Sequence, residues 1–487
     1  MLKKTTGAAL AAGSALLLSS PAWLPGRIVS LRMKLFARIN GDEGLPFPQE
    51  EYGGAERFEE IYGQPAANGR SRGAALSDLF WYWLAPGADI HQEHLEAGPR
   101  YDEVSRRTLA ILAGPSAGLY DAAARSTRHV LDALPGDGVR SVRLRDLMMP
   151  VWAEFFYTLV FQEDCPPEAR KLIVDNAEDV VNALKCTRLR HMRRRDRLTR
   201  YLLRRLDAGE VPHVLPAGLS RRQHAYYLQG TFFNTAVVQM SEAMAHLLLV
   251  LAQHPEVQER VTASGDDDRW LSHVMNETFR LFPLFGVAHR ITTADIDLDG
   301  MPLIPSGSVL TFSYPDYQAA GYTDPEDFVP GRWETLTTKE AHHIPFGIAA
   351  NRPCPAWRLS PIAMRAATRE VLARFELDSP VSHTRSIPHR APCLLIPRNH
   401  PADTPRRRVL RTALAVRDRA EDVGRSLTQL VLGTYMVLDA RRTRPAARFF
   451  AEHDTEGHLL QREHTASGAD GRYEPAITSC PYPGRST

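Results

Sequence analysis

One cysteine in a turn-rich loop constrains this chain more than any other feature. Cys354 lies in the stretch from His343 to Trp357, which is rich in proline and small residues and runs into a helical pattern. Pro355 suits the first turn of a helix, and the free N–H groups of that turn favour a thiolate over a thiol. Arg352 could hold a negatively charged group beside it. The loop therefore predicts a thiolate ligand for a bound cofactor, and a buried, inert cysteine is the alternative.

Four motifs precede this loop in a fixed order. The first, Glu277-Thr-Phe-Arg280, puts opposite charges three residues apart on one helix face, where they can pair and still reach a third partner. The others are His289-Arg290, Ile304-Pro305-Ser306-Gly307 and the stretch 324–333, which contains Arg332. A single Glu/Arg pair is common on protein surfaces, so the first motif is not specific by itself. The order of all four motifs is the informative feature.

Together with the cysteine loop, these motifs resemble the cytochrome P450 family of haem-thiolate monooxygenases, and the resemblance covers about residues 75–398. It implies that Cys354 is the axial ligand of haem b, and that Arg290 and Arg352 hold the haem propionates. A thiolate ligand favours O–O bond cleavage, so the implied chemistry is oxygen activation.

The same resemblance implies a charge network beneath the haem, formed by Glu277, Arg280 and Arg332. A guanidinium fork suits this role because it can bond several acceptors at fixed angles. The ligand loop departs from the family pattern, since it has one extra residue between Phe346 and Cys354. It also has alanine in place of glycine at positions 350 and 356. These differences predict an altered local path of the loop.

The fold is predicted to be mainly α with a small β portion, a P450-like helical fold, because residues 50–270 have a mostly helical pattern. We expect one haem-thiolate catalytic domain at 46–400 and a helical extension at 401–454. One side of the extension is apolar, through Val423, Leu427, Leu430, Val431, Tyr435 and Leu438. Residues 455–487 are expected to be disordered.

The N-terminal residues 1–45 form a leader whose role has two interpretations. Lys3 and Lys4 precede an apolar run from Ala8 to Leu18, which has the outline of a signal peptide and is too short to span a membrane. The alternative is an uncleaved helix that touches a membrane surface. Five widely spaced cysteines form no disulfide framework, so we expect a cytoplasmic protein that is associated with a membrane through the leader.

Other candidate contacts are less specific. Arg106 lies where the third helix of the family offers a propionate partner, although a solvated basic edge explains it equally well. His94 is a further candidate for a haem contact. In the long apolar helix, Leu228 to His254, the usual acid and alcohol of the family fall on Val238 and Gln239. We therefore expect Gln239 and Thr235 to hold a proton-delivering water, unless they only pack.

The sequence contains no glycine-rich nucleotide loop, so electrons are expected from ferredoxin and ferredoxin reductase or an equivalent donor. The substrate is a small molecule or peptide, and the net charge of +2 suggests no nucleic-acid partner. Only six of 59 basic residues are lysine, as in a GC-rich bacterium, so we expect oxidation of a bacterial secondary metabolite.

Three alternatives to this function stay open. The first is oxidative aromatic (biaryl or peptide) crosslinking by the same haem site. The second is a haem-thiolate partner protein without catalysis. The third is a serine hydrolase with Ser116 as nucleophile, in the Gly-x-Ser-x-Gly stretch that begins at Gly114.

Overall fold

The structure is a computed structural model that describes residues 21–39, 41, 43–135, 138–383, 390–398 and 405–460. The apolar run of the leader and the tail beyond residue 460 lie outside the described residues. The predicted class, mainly α with a small β portion, is confirmed. The helices are α1 (21–39), α2 (Phe58–Tyr62), α3 (Ala75–Leu84), α4 (Pro99–Leu112), α5 (Ser116–Asp132), α6 (Leu144–Phe161), α7 (Pro167–Leu184), α8 (Met192–Asp207), α9 (Arg221–Gly230), α10 (Val237–Gln253), α11 (Pro255–Ala263), α12 (Arg269–Leu281), α13 (Tyr314–Ala320), α14 (Leu359–Arg374), α15 (Pro405–Thr443) and α16 (Pro445–Glu452).

Two small sheets accompany the helices in the described part. The strands are β1 (Gly44–Phe47), β2 (Arg140–Arg143), β3 (Val287–Ile291), β4 (Val309–Ser313), β5 (Phe375–Asp378) and β6 (Pro392–Pro397). Strand β4 pairs in parallel with β1 and antiparallel with β3, while β6 lies between β2 and β5. Gly69 extends the first sheet, because its backbone exchanges two hydrogen bonds with Ile291 of β3. A Cβ at Gly69 would lie 2.5 Å from the Ile291 carbonyl oxygen, so this approach requires glycine.

The core is built around the long central helix. Residues Arg221–Gln253 run continuously through α9, a π-helical turn at Thr231–Ala236, and α10. Helix α10 packs along α6, and α14 packs along α5. This helix is long and apolar enough to cross a membrane, but 83% of its apolar window is buried inside the protein, as in the core helix of a soluble protein.

The C-terminal extension packs against the catalytic region. Met436, Val437 and Ala440 of α15 are buried with Tyr82 and Trp83 of α3. The short helix α16 packs its phenylalanines, 449 and 450, on Trp81. The extension is therefore one packed body with α3, so its boundary at residue 401 remains a prediction based on sequence resemblance.

The hydrolase alternative is not supported by the structure. A nucleophile elbow requires a strand before the serine. Residues 109–112, which would have to form that strand, belong to α4, and Ser116 begins α5 after a short turn. Ser116 is therefore an exposed residue at the start of a helix that follows another helix.

Candidate cofactor site

The loop of Cys354 is held by hydrogen bonds to distant parts of the chain. The Cys354 backbone N–H donates to the Phe346 carbonyl oxygen at 2.8 Å. The side chain of Asn351 donates to the carbonyl oxygens of Tyr62 and Ala67, both at 2.7 Å. Gly347 and Arg352 adopt positive φ of 74° and 52°. The altered path thus turns at these two residues and not at the alanines that replace glycine.

The prediction about Pro355 is wrong. Helix α14 begins at Leu359, and residues 355–358 form turns, so Pro355 does not lie in the first helical turn. Burial raises the pKa of the Cys354 thiol to about 11, although a hydrogen bond from the Ala356 N–H lowers it. The protein alone therefore favours the thiol at neutral pH, and a bound metal ion would deprotonate it.

Three arginines, which carry the charge, and a neutral histidine form a cluster near this loop; Arg352 is half-buried and the other members are buried. The cluster, which we call the cationic cluster, consists of Arg70, His94, Arg290 and Arg352. Several nitrogens of these side chains are buried and have no partner among the described residues: Nε and Nη2 of Arg70, both ring nitrogens of His94, Nε of Arg290, and Nε and Nη2 of Arg352. A buried donor without an acceptor costs about 1–3 kcal/mol. So many free donors together indicate a site for a ligand with several anionic oxygens.

The members of the cationic cluster lie close together, because the charges of Arg290 and Arg352 affect the pKa of Arg70. Burial, together with the charges of Arg290 and Arg352, lowers the pKa of Arg70 to about 9, although Glu93 acts in the opposite direction. Burial alone would raise the pKa of Glu93. The Arg70 guanidinium, 3.6 Å away, and Arg290 more than offset this and hold the pKa below its usual value. Glu93 and Glu96 are thus two carboxylates close to three guanidinium groups, so the cluster keeps an excess of positive charge.

The imidazole of His94 within the cluster and those of its neighbours His91 and His289 are neutral. Burial holds the pKa of His94 well below its usual value, and the neighbouring His91 and His289 lower it further. Burial likewise lowers the pKa of His289 to about 4, and its ring stacks on Phe80 at 5.0 Å between centroids. These histidines are therefore uncharged at neutral pH and can donate or accept hydrogen bonds toward a bound group.

The residues of the cluster fit the haem that the resemblance implies. Two propionates would supply the acceptor oxygens that the free nitrogens of Arg70, Arg290, Arg352 and His94 lack. Within the described residues, no group of three or more His, Cys, Asp and Glu side chains could hold a metal ion. Cys354 thus offers a single ligand, which suits iron whose other ligands come from a macrocycle.

The structure brings Glu277, Arg280 and Arg332 together in one buried network. The Glu277 carboxylate accepts hydrogen bonds from Arg280 Nε and Nη2 at 3.0 and 2.9 Å, and from Arg332 Nε at 3.0 Å. The Val329 N–H and the Trp333 indole N–H donate to the same carboxylate, both at 2.9 Å. The side chain of Glu277 is fully buried, so this network fixes α12 against the segment that leads to the ligand loop.

Thr235 and Gln239 have different surroundings. Thr235 lies in the π-helical turn, and its Oγ1 is 2.7 Å from Nε2 of His91. Gln239 is half-buried on α10 and makes no side-chain hydrogen bond to any described residue. Val238 is buried and offers no polar group. The structure therefore gives Thr235 a polar partner that Gln239 lacks.

The expectation for Arg106 is not supported. Its side chain is 66% exposed and pairs with Glu103, so it lies apart from the cationic cluster. Arg70 lies in the cationic cluster instead, and it was not among the residues predicted from the sequence. The local sequence around Arg70 does not indicate this position. Arg70 lies beside Arg290 because the preceding residue, Gly69, pairs with Ile291 of β3.

The sequence matches the Cytochrome P450 family over residues 147–401, which is more than half of the chain. Ent-kaurenoic acid oxidase 2 of Arabidopsis thaliana is 32% identical over 145 residues, which cover 29% of this chain and 28% of that protein. Cytochrome P450 3A13 of Mus musculus is 30% identical over 162 residues, which cover 28% of this chain and 31% of that protein. The matched segment therefore spans less than a third of either relative.

Solved structures share the fold over a longer stretch. A six-coordinated cytochrome P450 from Thermus thermophilus superposes with a TM-score of 0.55 at 18% identity, covering 70% of this chain and 91% of that one. Proteins of this family hold haem with a cysteine thiolate as the axial ligand, which agrees with the single cysteine and the free cations of the site. The chain belongs to the cytochrome P450 family.

Proposed function

We propose that this protein is a haem-thiolate monooxygenase that uses O2 and electrons from separate redox partners to oxidise a small organic molecule. The observation that carries this proposal is the position of Cys354 beside buried cations whose nitrogens lack acceptors. Haem, when bound, supplies oxygen activation. The protein contributes the thiol ligand and the cations that neutralise the propionates.

The chain also offers groups that can move a proton. Burial lowers the pKa of His91, which is therefore neutral at physiological pH. Its Nδ1 accepts a hydrogen bond from the Glu93 N–H, so Nε2 carries the proton and donates to the Thr235 hydroxyl, which leaves that hydroxyl free to donate to a water. Thr235 is half-buried, and its hydroxyl in turn can orient a water. We assign proton delivery to this pair, with Gln239 as a second group that can hold a water.

For the substrate, we propose a bacterial secondary metabolite. The arginine-rich composition supports a bacterial source. The relatives described above are eukaryotic and support only a small organic substrate, since one of them is named as an oxidase of ent-kaurenoic acid. Oxidative coupling of aromatic groups is the alternative reaction of the same site. Products formed from a small-molecule library, analysed by mass spectrometry, would distinguish a gain of oxygen from a loss of hydrogen.

We propose a ferredoxin and its reductase as electron donors, because the sequence shows no nucleotide-binding loop of its own. The proposed location is the cytoplasm, where such donors occur. A haem-thiolate partner protein without catalysis is the second candidate. Val238, in place of the usual acid, favours it, whereas the His91–Thr235 pair favours an enzyme.

The direct test is the spectrum of the reduced protein with carbon monoxide. Wild-type protein should show the strongly red-shifted Soret band of a thiolate-bound haem. Cys354→Ala should abolish that band, and Cys165→Ala, at another half-buried free cysteine, should retain it. A band that survives in Cys354→Ala would contradict the ligand assignment. Turnover with a ferredoxin system then separates an enzyme from a non-catalytic partner protein.

A further inference from the structure

Helix α15 exposes a continuous apolar stripe to solvent. The stripe, which we call the α15 stripe, consists of Val409, Val416, Leu427, Val431, Tyr435 and Leu438, each between 47% and 67% exposed. Their separations of 3, 4, 7 and 11 residues keep them on one side of a helix. The opposite side carries the buried Met436, Val437 and Ala440. Helix α15 is therefore apolar on both faces, and only one face packs on the protein.

Helix α1 lies beside α15 and adds to this exposed surface. Arg32 donates to the side chain of Gln429 at 2.8 Å, and Phe36 packs on Gly433, where a Cβ would lie 2.8 Å from the Phe36 ring. Both contacts advance by four residues along each helix, so the helices run parallel. Trp23, Leu31 and Met33 are exposed apolar residues of α1. Two neighbouring helices thus present apolar side chains to solvent.

The charge of this region is strongly positive. Residues 1–41 contain six lysines and arginines and no aspartate or glutamate, whereas the whole chain has a net charge of only +2. The acidic residues of α15 are turned toward the protein: Glu421 pairs with Arg143 at 2.8 Å, and Asp439 accepts from the Tyr82 hydroxyl at 2.9 Å. The exposed Arg442, which also pairs with the largely buried Asp439 at 2.8 Å, borders the α15 stripe.

An apolar stripe bordered by cations on parallel helices has the chemistry of an interfacial membrane helix. Helix α1 also follows directly on the apolar run from Ala8 to Leu18, which is too short to span a bilayer. We infer that α1 and α15 form a docking face for an anionic lipid surface. A second copy of this chain fits less well, because it would bring one cationic leader against another.

This inference does not depend on haem chemistry, so its test is separate from that of the proposed function. The full-length holoprotein is sedimented with vesicles of phosphatidylcholine, with and without phosphatidylglycerol. We expect binding to the anionic vesicles that weakens as salt is added. The double variant Val431→Asp/Leu438→Asp should lower the affinity at least about tenfold, because two apolar side chains that would enter the lipid surface are replaced by negative charges.

The matched control is Val214→Asp, at a residue that is 68% exposed in the loop between α8 and α9 and should not affect binding. An unchanged carbon monoxide spectrum in all variants checks that the fold is intact. Unchanged vesicle binding by the double variant would overturn the role of the α15 stripe. A concentration-dependent dimer that Val431→Asp dissociates, together with no vesicle binding by wild type, would show that a second copy covers this face.

Discussion

The His91 imidazole and the Thr235 hydroxyl share a hydrogen bond of 2.7 Å, which joins the loop before α4 to the π-helical turn of the central helix. Burial lowers the pKa of His91, so the ring is neutral, and because its Nδ1 accepts from the Glu93 N–H, its Nε2 donates to Thr235 and orients that hydroxyl. A π-helical turn departs from the backbone hydrogen-bond pattern of an α-helix, and such turns are frequent at functional sites.

This pair leads to the first prediction. Thr235→Val and His91→Phe should each raise the hydrogen peroxide released per O2 consumed, because proton delivery loses a polar link. The effect should be larger than that of Gln239→Ala, whose side chain lacks a partner among the described residues. Peroxide release and O2 uptake are measured together with a surrogate ferredoxin system. A greater effect of Gln239→Ala would assign proton delivery to Gln239.

The second prediction concerns retention of the cofactor. Arg70→Ala should speed loss of haem to an acceptor protein roughly tenfold or more, since a hydrogen bond to a charged group contributes about 1.5–3 kcal/mol. Arg106→Ala is the control, because its side chain is exposed and paired with Glu103. Equal rates for Arg70→Ala and wild type would exclude Arg70 from the propionate site.

The third prediction concerns the buried network of Glu277. Glu277→Ala leaves Arg280 buried without its partner, so the free energy of unfolding should fall by about 3–5 kcal/mol. Glu334→Ala should change it by less than about 1 kcal/mol, because the pair of Glu334 with Arg260 is exposed. Denaturant unfolding of both variants checks this. A stable Glu277→Ala protein with full haem content would refute the structural role of the network.

The fourth prediction concerns pH. Burial raises the pKa of Glu242, but Lys185 and Arg145 more than offset it and bring the pKa to about 2. The ionised carboxylate therefore stabilises the fold above its unfolded pKa near 4.5, and this contribution is lost as pH falls toward 2. Glu242→Gln should be less stable than wild type by about 3 kcal/mol at pH 7, with a difference that shrinks below pH 4.5. A difference that is constant with pH would show another cause.

The fifth prediction concerns the C-terminal extension, which packs on α3. The indole N–H of Trp81, beneath Phe449 and Phe450, donates to the Ser71 hydroxyl at 3.0 Å. Glu96 accepts from the backbone N–H groups of Arg70 and Ser71. Phe449→Ala/Phe450→Ala should therefore speed haem loss several-fold, because the segment carrying Arg70 loses support.

The control for this experiment is Leu459→Ala, at an exposed residue near the end of the described chain. Haem transfer to an acceptor protein is again the measurement. The same rate of haem loss in the phenylalanine variant and in wild type would show that the extension is independent of the cofactor site.

The sequence was most informative where the relevant contacts are local. Glu277 and Arg280 are three residues apart on one helix, so their pairing follows from helical geometry. The position of Arg70 depends on a bridge between Gly69 and Ile291, which are far apart in the chain, and no local pattern encodes it. Pro355 does not lie in a first helical turn because the residues after Cys354 form turns, although a proline there would also suit the start of a helix.

The contact of Asp78 with the start of α16 has a consequence for biosynthesis. The Asp78 carboxylate accepts hydrogen bonds from the backbone N–H groups of Ala446 and Ala447, at 2.9 and 3.1 Å. Residue 78 leaves the ribosome long before residue 446. Helix α3 therefore forms in the nascent chain before α16 is available to pack on it. Firm capture of haem is therefore expected only after translation has nearly ended.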